Sequence, residues 1–224
     1  MDPRHWFVSN LIKYGTMSLC RIDRAALKQV PMDGPLIIVT NHIGSLEVPL
    51  LFVHLLPRPV TGFAKIETWD NKFMGWLFDL WGAIPIRRGE VDLGALRRGL
   101  AALEAGQILA VAPEGTRSRH GRLLRGHPGV VTIALRSGAP ILPLVHWGGE
   151  NFSRNLKRLQ RTNFHIRVGK PFHLTNGKKR VTRGVRQKMV DEIMHQIAAL
   201  LPEEYRGEYA NLEKATQDYL QIAA

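Results

Sequence analysis

Short apolar runs alternate with amphipathic stretches along most of the chain. Pro35–Thr40 is an apolar, β-branched run directly after Asp33-Gly34, which is typical of a buried strand that follows a turn. Between Asp92 and Gly106 leucines recur at helical spacing, with the aspartate as the expected N-cap and the glycine as the stop. The same criteria predict strands at 35–40, 60–65, 83–87, 108–112, 139–147 and 164–172, and helices at 45–56, 71–81, 92–106, 129–136, 189–201 and 208–222.

Two details of these helices can be compared directly with a structure. The helix at 45–56 is expected to begin with Ser45 as its N-cap. The helix after Asp92 is expected to bury a single stripe, made of Leu93, Leu96, Leu100 and Leu103.

Strands that alternate with helices predict an α/β fold. We expect a single layered domain with a largely parallel or mixed central sheet flanked by helices. The 224 residues suit one domain of ordinary size, without an internal repeat or a linker. Residues 31–224 are expected to form this domain, and residues 1–30 an N-terminal amphipathic helical segment.

The N-terminal segment mixes large apolar side chains with basic ones. This composition suits a helix that lies in a membrane interface, but it equally suits a helix packed on the core of its own domain. The sequence leaves both alternatives open. No run of about 18 apolar residues occurs, so no transmembrane helix is expected. The apolar members are Trp6, Phe7, Val8, Leu11, Ile12 and Tyr14, and the basic ones are Arg4, His5 and Lys13.

The charge balance is strongly basic, with a formal net charge of +12. The segment Asn151–Val190 holds 12 Lys or Arg residues and no Asp or Glu. This excess indicates a polyanionic partner, which can be an anionic membrane, a phosphorylated ligand or a nucleic acid. Aromatic residues are sparse in that segment, which disfavours base stacking and therefore a nucleic acid. The single cysteine, Cys20, excludes an intrachain disulfide and a thiolate metal cluster.

His42 and Glu47 follow the first predicted strand, in the segment Asn-His-Ile-Gly-Ser-Leu-Glu. On a regular helix, residues five apart lie about 140° from each other and cannot share a face. If the helix begins between them, the carboxylate can instead bind one imidazole nitrogen and leave the other to accept a proton from a hydroxyl. The alternative is a loop histidine and a glutamate that the helix dipole favours. The pair alone does not decide.

Three further segments follow predicted strands or form one. Pro113–Ser118 (Pro-Glu-Gly-Thr-Arg-Ser) comes after a buried strand, where α/β sheets place ligands, and its arginine suits a phosphate. Gly82–Gly89 ends in two arginines and a glycine, which also suits an anion. Ala139–Leu144 is an apolar strand with two prolines. Each has a plain alternative: a basic surface turn, a solvated strand end and a buried or edge strand.

Together the four segments resemble the glycerolipid acyltransferase family, typified by 1-acylglycerol-3-phosphate acyltransferases. That family shows Asn-His-x4-Asp, Gly-x2-x-Ile/Val-x-Arg, Pro-Glu-Gly-Thr-Arg-Ser and a Pro-Ile/Val-x-Pro strand. All four blocks occur here in this order, and the resemblance covers about Pro35–Lys170. The third block matches most completely.

The resemblance implies transfer of a fatty-acyl group to the hydroxyl of a lysophospholipid, with 1-acylglycerol-3-phosphate as acceptor and acyl-CoA or acyl-carrier protein as donor. It implies no metal and no redox cofactor. It also implies a peripheral or monotopic protein at the cytoplasmic face of a membrane. By motif position, His42 is the general base, Glu47 orients it, Pro143 serves the acyl donor or the shape of the site, and the acceptor is bound by Arg88, Glu114, Gly115, Thr116 and Arg117.

Two positions depart from the family pattern. Glu47 stands where the family has aspartate, and His127 stands where the family often has a lysine after the third block. The longer Glu47 changes the geometry more than the chemistry. These departures keep open a second hypothesis, in which the chain is a non-catalytic lipid-binding or membrane-associated relative. A nucleic-acid binder is the third and least favoured interpretation.

Overall fold

The computed structural model describes residues 3–44, 46–89, 92–118, 120–177 and 180–222. The strands are β1 (Cys20–Asp23), β2 (Leu36–Val39), β3 (Val60–Lys65), β4 (Ile84–Ile86), β5 (Ile108–Val111), β6 (Ile141–Trp147), β7 (Thr162–Val168), β8 (Phe172–Leu174) and β9 (Leu220–Ile222). The helices are α1 (Pro3–Leu19), α2 (Glu47–His54), α3 (Lys72–Leu80), α4 (Leu93–Glu104), α5 (Gly129–Ser137), α6 (Phe152–Lys157) and α7 (Arg183–Leu200).

The strands form one mixed sheet in the order β1-β7-β6-β2-β5-β3-β4, and β8 pairs with both β6 and β9. The central pairs β6/β2, β2/β5, β5/β3 and β3/β4 are parallel. The pairs β6/β7, β6/β8 and β8/β9 are antiparallel. The predicted α/β fold with a largely parallel, helix-flanked sheet is therefore confirmed.

The central strand β2 explains why its sequence is apolar throughout. Ile37 and Val39 pack with the helices on one face of the sheet, while Leu36 and Ile38 pack into the core on the other face. Successive side chains of a strand point to opposite faces, so a strand covered on both sides has no polar positions. One core contains residues of α4, α5 and α7, and the other contains residues of α2 and α3.

The N-terminal helix α1 packs on the second core and presents a further apolar face to solvent. Val8 and Ile12 pack against that core, and the buried Ser9 hydroxyl accepts a hydrogen bond from Trp81 Nε1 at 3.2 Å. The opposite face exposes large side chains, namely Trp6, Phe7, Leu11 and Tyr14. The two alternatives for this segment are thus compatible, because each uses a different face of the helix.

Three predictions about the bounds or packing of single elements were wrong or incomplete. The strand predicted at 164–172 is two strands, β7 and β8. The helix α7 begins at Arg183, six residues before the predicted start, and Thr182 is its N-cap. Leu93 is 54% exposed and does not join the buried stripe, whose true centre is Ala95, Gly99 and Leu103. Residues two apart on a helix lie about 200° apart, so Leu93 faces away from Ala95.

The largest error concerns the C-terminal segment, where a helix was predicted at 208–222. That segment forms short 3₁₀ turns and the strand β9. The cause is the buried carboxylate of Glu192, which accepts hydrogen bonds from the Thr216 hydroxyl and from the backbone amides of Asp218 and Tyr219. These bonds hold the chain extended against α7, and it continues into β9. The predicted N-cap Ser45 lies outside the described residues, and α2 begins at Glu47 after Leu46.

Candidate active site

His42 and Glu47 are in direct contact at the end of β2. Glu47 is the first residue of α2, so His42 lies in the preceding turn and the helical spacing does not separate them. Glu47 Oε1 lies 2.5 Å from His42 Nδ1 and also accepts a hydrogen bond from the Gly44 amide at 3.2 Å. The extra methylene of glutamate therefore does not prevent the contact that the family pattern assigns to aspartate.

The carboxylate of Glu47 is held in its charged form although it is buried. Burial by itself raises the pKa of this carboxyl group, but the hydrogen bond from His42 and the other contacts of the carboxylate together lower it by a larger amount. The net result is that the pKa of Glu47 lies below its ordinary value. A charged carboxylate on Nδ1 fixes the proton on that nitrogen and leaves Nε2 as the basic one.

The side chain of Glu114 fixes the backbone of His42 by a hydrogen bond. Its Oε1 accepts a hydrogen bond from the His42 amide at 2.8 Å, and its Oε2 accepts one from the Leu124 amide at 2.8 Å. The His42 carbonyl in turn accepts a hydrogen bond from the Ser118 amide at 2.8 Å. The Pro113–Ser118 segment thus fixes the turn that carries the histidine, and Glu114, which is only 1% exposed, uses both oxygens within the protein.

Burial raises the pKa of both Glu47 and Glu114, but the net shifts of the two groups have opposite directions. Burial, opposed by the hydrogen bonds from Leu124 and His42 and increased by the charge of Glu47, raises the pKa of Glu114 to about 7. The site therefore contains one carboxyl group whose pKa lies below its ordinary value and a second whose pKa is raised to about 7.

The remaining predicted site residues are placed by the parallel strands. Because β2, β5, β3 and β4 run parallel, their carboxyl ends lie at one edge of the sheet, with His42 after β2, the Pro113–Ser118 segment after β5 and Arg88 after β4. Arg88, Thr116 and Arg117 are exposed there. Gly115 has φ +66°, and a Cβ at that position would lie 3.2 Å from the His127 ring.

Pro143 lies in a different environment from the other predicted site residues. It is buried within β6, opposite Val39 of β2, and its carbonyl accepts a hydrogen bond from the Gly169 amide at 2.8 Å. This position belongs to the body of the sheet. It can shape the site through the path of β6.

The sequence interpretation missed His146 and the role of Asn41. The two residues exchange hydrogen bonds across 105 residues of chain, and both are almost completely buried. A histidine within an otherwise apolar strand was the only signal in the sequence. Its partner became visible only when β6 was placed beside β2.

The part of the chain that the structure describes contains neither a candidate metal-binding cluster nor a membrane-spanning helix. In that part of the chain, no group of three or more His, Cys, Asp or Glu side chains is arranged to hold a metal ion. None of its helices combines the length and the apolar character needed to cross a membrane.

A surface cleft of about 500 Å³ beside β1 and β7 is lined by residues such as Arg21, Arg161 and His165, and includes none of the predicted site residues.

Comparison with known proteins identifies the class of protein. The Acyltransferase family model matches residues 21–147, more than half of the chain, and the chain therefore belongs to this family. It is 27% identical to the 1-acyl-sn-glycerol-3-phosphate acyltransferase of Bacillus subtilis, over 65% of this chain and 71% of that protein. It is 31% identical to the lyso-ornithine lipid O-acyltransferase of Pseudomonas aeruginosa, over 68% of this chain and 67% of that protein.

A solved structure supports the fold. The crystal structure of the 1-acyl-sn-glycerophosphate acyltransferase PlsC from Thermotoga maritima matches with a TM-score of 0.63 and 22% identity, covering 89% of this chain and 82% of that one. Other curated relatives are longer, and the chain spans about half the length of the chloroplast enzyme of Arabidopsis thaliana.

Proposed function

We propose that this protein transfers a fatty-acyl group from acyl-CoA or acyl-carrier protein to the hydroxyl of a lysophospholipid, and that the acceptor is 1-acylglycerol-3-phosphate and the product phosphatidic acid. The observation that carries the proposal is the contact between His42 Nδ1 and Glu47 Oε1 at the carboxyl edge of a parallel sheet, in a chain of the acyltransferase family.

The reaction needs one base and no covalent enzyme intermediate. His42 Nε2 removes the proton from the acceptor hydroxyl while the hydroxyl oxygen attacks the thioester carbonyl carbon. The carbon–sulfur bond then breaks, and Nε2 gives the proton to the leaving thiolate, which restores the neutral imidazole. Glu47 stabilises the transient imidazolium through Nδ1, at a distance of 2.5 Å.

The acceptor phosphate is assigned to the exposed arginines of the same edge. Arg88 and Arg117 follow β4 and β5 and are both exposed, so each can donate parallel hydrogen bonds to a phosphate. Glu114 is not assigned to the ligand, because both of its oxygens already bind backbone amides. The name of the Pseudomonas relative gives a lyso-ornithine lipid as the competing acceptor.

The non-catalytic alternative loses its geometric support. It depended on Glu47 and His127, and Glu47 reaches His42 directly. His127 remains as the second departure, and it lies against Gly115 next to the proposed phosphate site. We therefore relate His127 to the choice of acceptor and not to the loss of activity.

An activity assay of the purified protein with a panel of acceptors tests the proposal. We expect release of thiol from oleoyl-CoA, and a matching diacyl product by mass spectrometry, with 1-oleoylglycerol-3-phosphate and little with lyso-ornithine lipid. His42→Ala should abolish release, whereas His173→Ala, in β8 and outside the site, should not. Transfer from oleoyl-acyl-carrier protein under the same conditions decides the donor. Absence of turnover with every acceptor, or full activity of His42→Ala, contradicts the proposal.

The location is proposed to be peripheral, at the cytoplasmic face of an anionic membrane. Support comes from two neighbouring helices: α1 exposes Trp6 and Phe7, and α3 exposes Phe73 and Trp76. Trp81, the residue directly after α3, binds α1 through Ser9, so both helices belong to one side of the molecule. Interfacial aromatic residues and a net charge of +12 suit an anionic lipid surface.

Co-sedimentation with vesicles tests this location. The protein should bind vesicles of phosphatidylglycerol and phosphatidylcholine more strongly than vesicles of phosphatidylcholine alone. Replacing Trp6 and Phe7 by serine should weaken binding at least tenfold without lowering the melting temperature, because both side chains are exposed. Equal binding of the double variant would contradict the role assigned to α1.

A further inference from the structure

A second histidine, His146, binds the residue next to the proposed base and is completely buried in β6. It pairs with Asn41, the residue directly before His42. Asn41 Nδ2 donates to the His146 carbonyl at 2.8 Å, and the His146 amide donates to Asn41 Oδ1 at 3.0 Å. A third bond joins His146 Nε2 to the Asn41 carbonyl at 2.9 Å. The β2/β6 ladder ends at Val39 and Pro143, so these bonds continue the contact between the two segments beyond that ladder.

The hydrogen bonds determine the state of the His146 ring. A carbonyl oxygen only accepts, so Nε2 must carry the hydrogen that binds Asn41. Among the described residues, the buried Nδ1 has no hydrogen-bond partner. A proton on Nδ1 would therefore be an unpaired buried charge, and burial indeed lowers the pKa of His146. The ring is neutral, and it stacks on Phe164 with centroids 5.4 Å apart.

The Asn41 carbonyl and the His42 amide are the two ends of one peptide unit. The carbonyl binds His146 Nε2 at 2.9 Å, and the amide binds Glu114 Oε1 at 2.8 Å. A peptide unit is planar, so two bonds at opposite ends define the direction of the whole plane. The His42 carbonyl, in the next peptide unit, is held by the Ser118 amide. The direction in which the His42 side chain leaves the backbone follows from these three bonds.

We propose that His146 is a positioning residue for acyl transfer: its neutral imidazole holds the Asn41 carbonyl and thereby directs His42 toward the acceptor hydroxyl and Glu47. This inference rests on the function proposed above. His146 does not touch the substrate, and its effect passes through the Asn41–His42 peptide. A misplacement of about 1 Å at a reacting group costs about 100-fold in rate, so loss of this bond should lower kcat more than it raises KM.

Two substitutions separate the hydrogen bond from the volume of the ring. His146→Gln keeps an N–H donor near the position of Nε2, whereas His146→Leu fills similar space without a donor. We expect His146→Leu to lower kcat by 10- to 100-fold with KM for both substrates within about threefold of wild type. His146→Gln should recover most of the lost activity. Val145→Ala is the matched control, since this neighbouring residue of β6 is buried in the core but does not bind Asn41.

A readout without turnover keeps this inference separate from the proposed function. The short hydrogen bond between His42 Nδ1 and Glu47 should give a downfield proton resonance, assigned by its loss in His42→Ala. In His146→Leu the resonance should shift or broaden, and in His146→Gln and Val145→Ala it should remain. An unchanged resonance in His146→Leu, wild-type kcat in that variant, or an equal loss in Val145→Ala would overturn the proposal. If wild type has no acyltransferase activity, the proposed function fails and the resonance alone decides the positioning role.

Discussion

Replacing Glu47 by glutamine removes a charge from the site while keeping its shape. Glu47 Oε1 accepts hydrogen bonds from both His42 Nδ1 and the Gly44 amide. In the variant, the carbonyl oxygen of glutamine must take this position, because its NH₂ group would face two donors. The tautomer and direction of His42 are therefore retained, and the substitution tests the charge alone.

The magnitude follows from the environment of the pair. A hydrogen bond to a charged group contributes about 1.5–3 kcal/mol, compared with about 0.5–1.5 kcal/mol for a neutral one. Glu47 is 3% exposed, so water cannot replace the lost charge when the imidazolium forms. The difference of about 1–1.5 kcal/mol in transition-state stabilisation corresponds to a fall in kcat of about 5- to 13-fold. KM should change little, because Glu47 is not assigned to either substrate.

Glu47→Asp provides the complementary change, because it keeps the charge and shortens the side chain. Removing one methylene withdraws the carboxylate by about 1.5 Å, the length of one carbon–carbon bond. The contact of 2.5 Å is then lost unless the start of α2 moves, but a negative charge remains close to His42. We expect activity between those of wild type and Glu47→Gln.

Steady-state release of thiol from oleoyl-CoA measures these effects, with melting temperatures to show that each variant is folded. Glu104→Gln is the control, since it makes the same chemical change on an exposed helical position outside the site. Equal kcat for Glu47→Gln and wild type would refute the reasoning. It would show that Glu47 serves only as a favourable charge at the N-terminus of α2.

Two further predictions concern stability. The pKa of Glu114 is raised to about 7 in the native protein, whereas the unfolded chain releases the same proton near pH 4.5. The stability of wild type relative to Glu114→Gln, measured by denaturant unfolding, should therefore fall by up to about 3 kcal/mol between pH 5 and 8. A stability difference that does not change with pH would contradict this prediction. Gly148→Ala should destabilise by about 3 kcal/mol or more, because its Cβ would lie 2.2 Å from a backbone carbonyl of β7 at φ +89°. Gly138→Ala, at φ +64° with nothing within 4 Å of its Cβ, should cost only about 1 kcal/mol, and equal losses would refute the steric reason.

The parts of the fold that depend on local pattern were predictable from the sequence. The strands at 60–65 and 108–112 and the Asp92 cap of α4 agree with the structure, because a buried run or a cap is specified by adjacent residues. The contact between His42 and Glu47 also follows from a local feature, the start of a helix between them. In these cases the residues that specify the element lie within about ten positions of one another in the sequence.

Elements that depend on distant partners could not be predicted in this way. The strand β1, within the segment 1–30, forms because Cys20–Asp23 pairs with β7, about 140 residues later. The extended C-terminal segment depends on the carboxylate of Glu192. The helical pattern at 208–222 competes with these contacts and loses, since three hydrogen bonds to a buried charge outweigh weak helix propensity.

Contacts between distant segments also change how the sequence motifs relate to the site. The Pro113–Ser118 segment suggested a ligand-binding loop, but its glutamate faces inward and binds the amide of His42. The apolar strand β6 suggested only a wall of the sheet, but its His146 binds the adjacent carbonyl. Glu114 and His146 therefore hold the two ends of one peptide unit. An orienting carboxylate such as Glu47 is effective only if the ring that it contacts has a fixed direction, so three separate segments of sequence serve a single side chain.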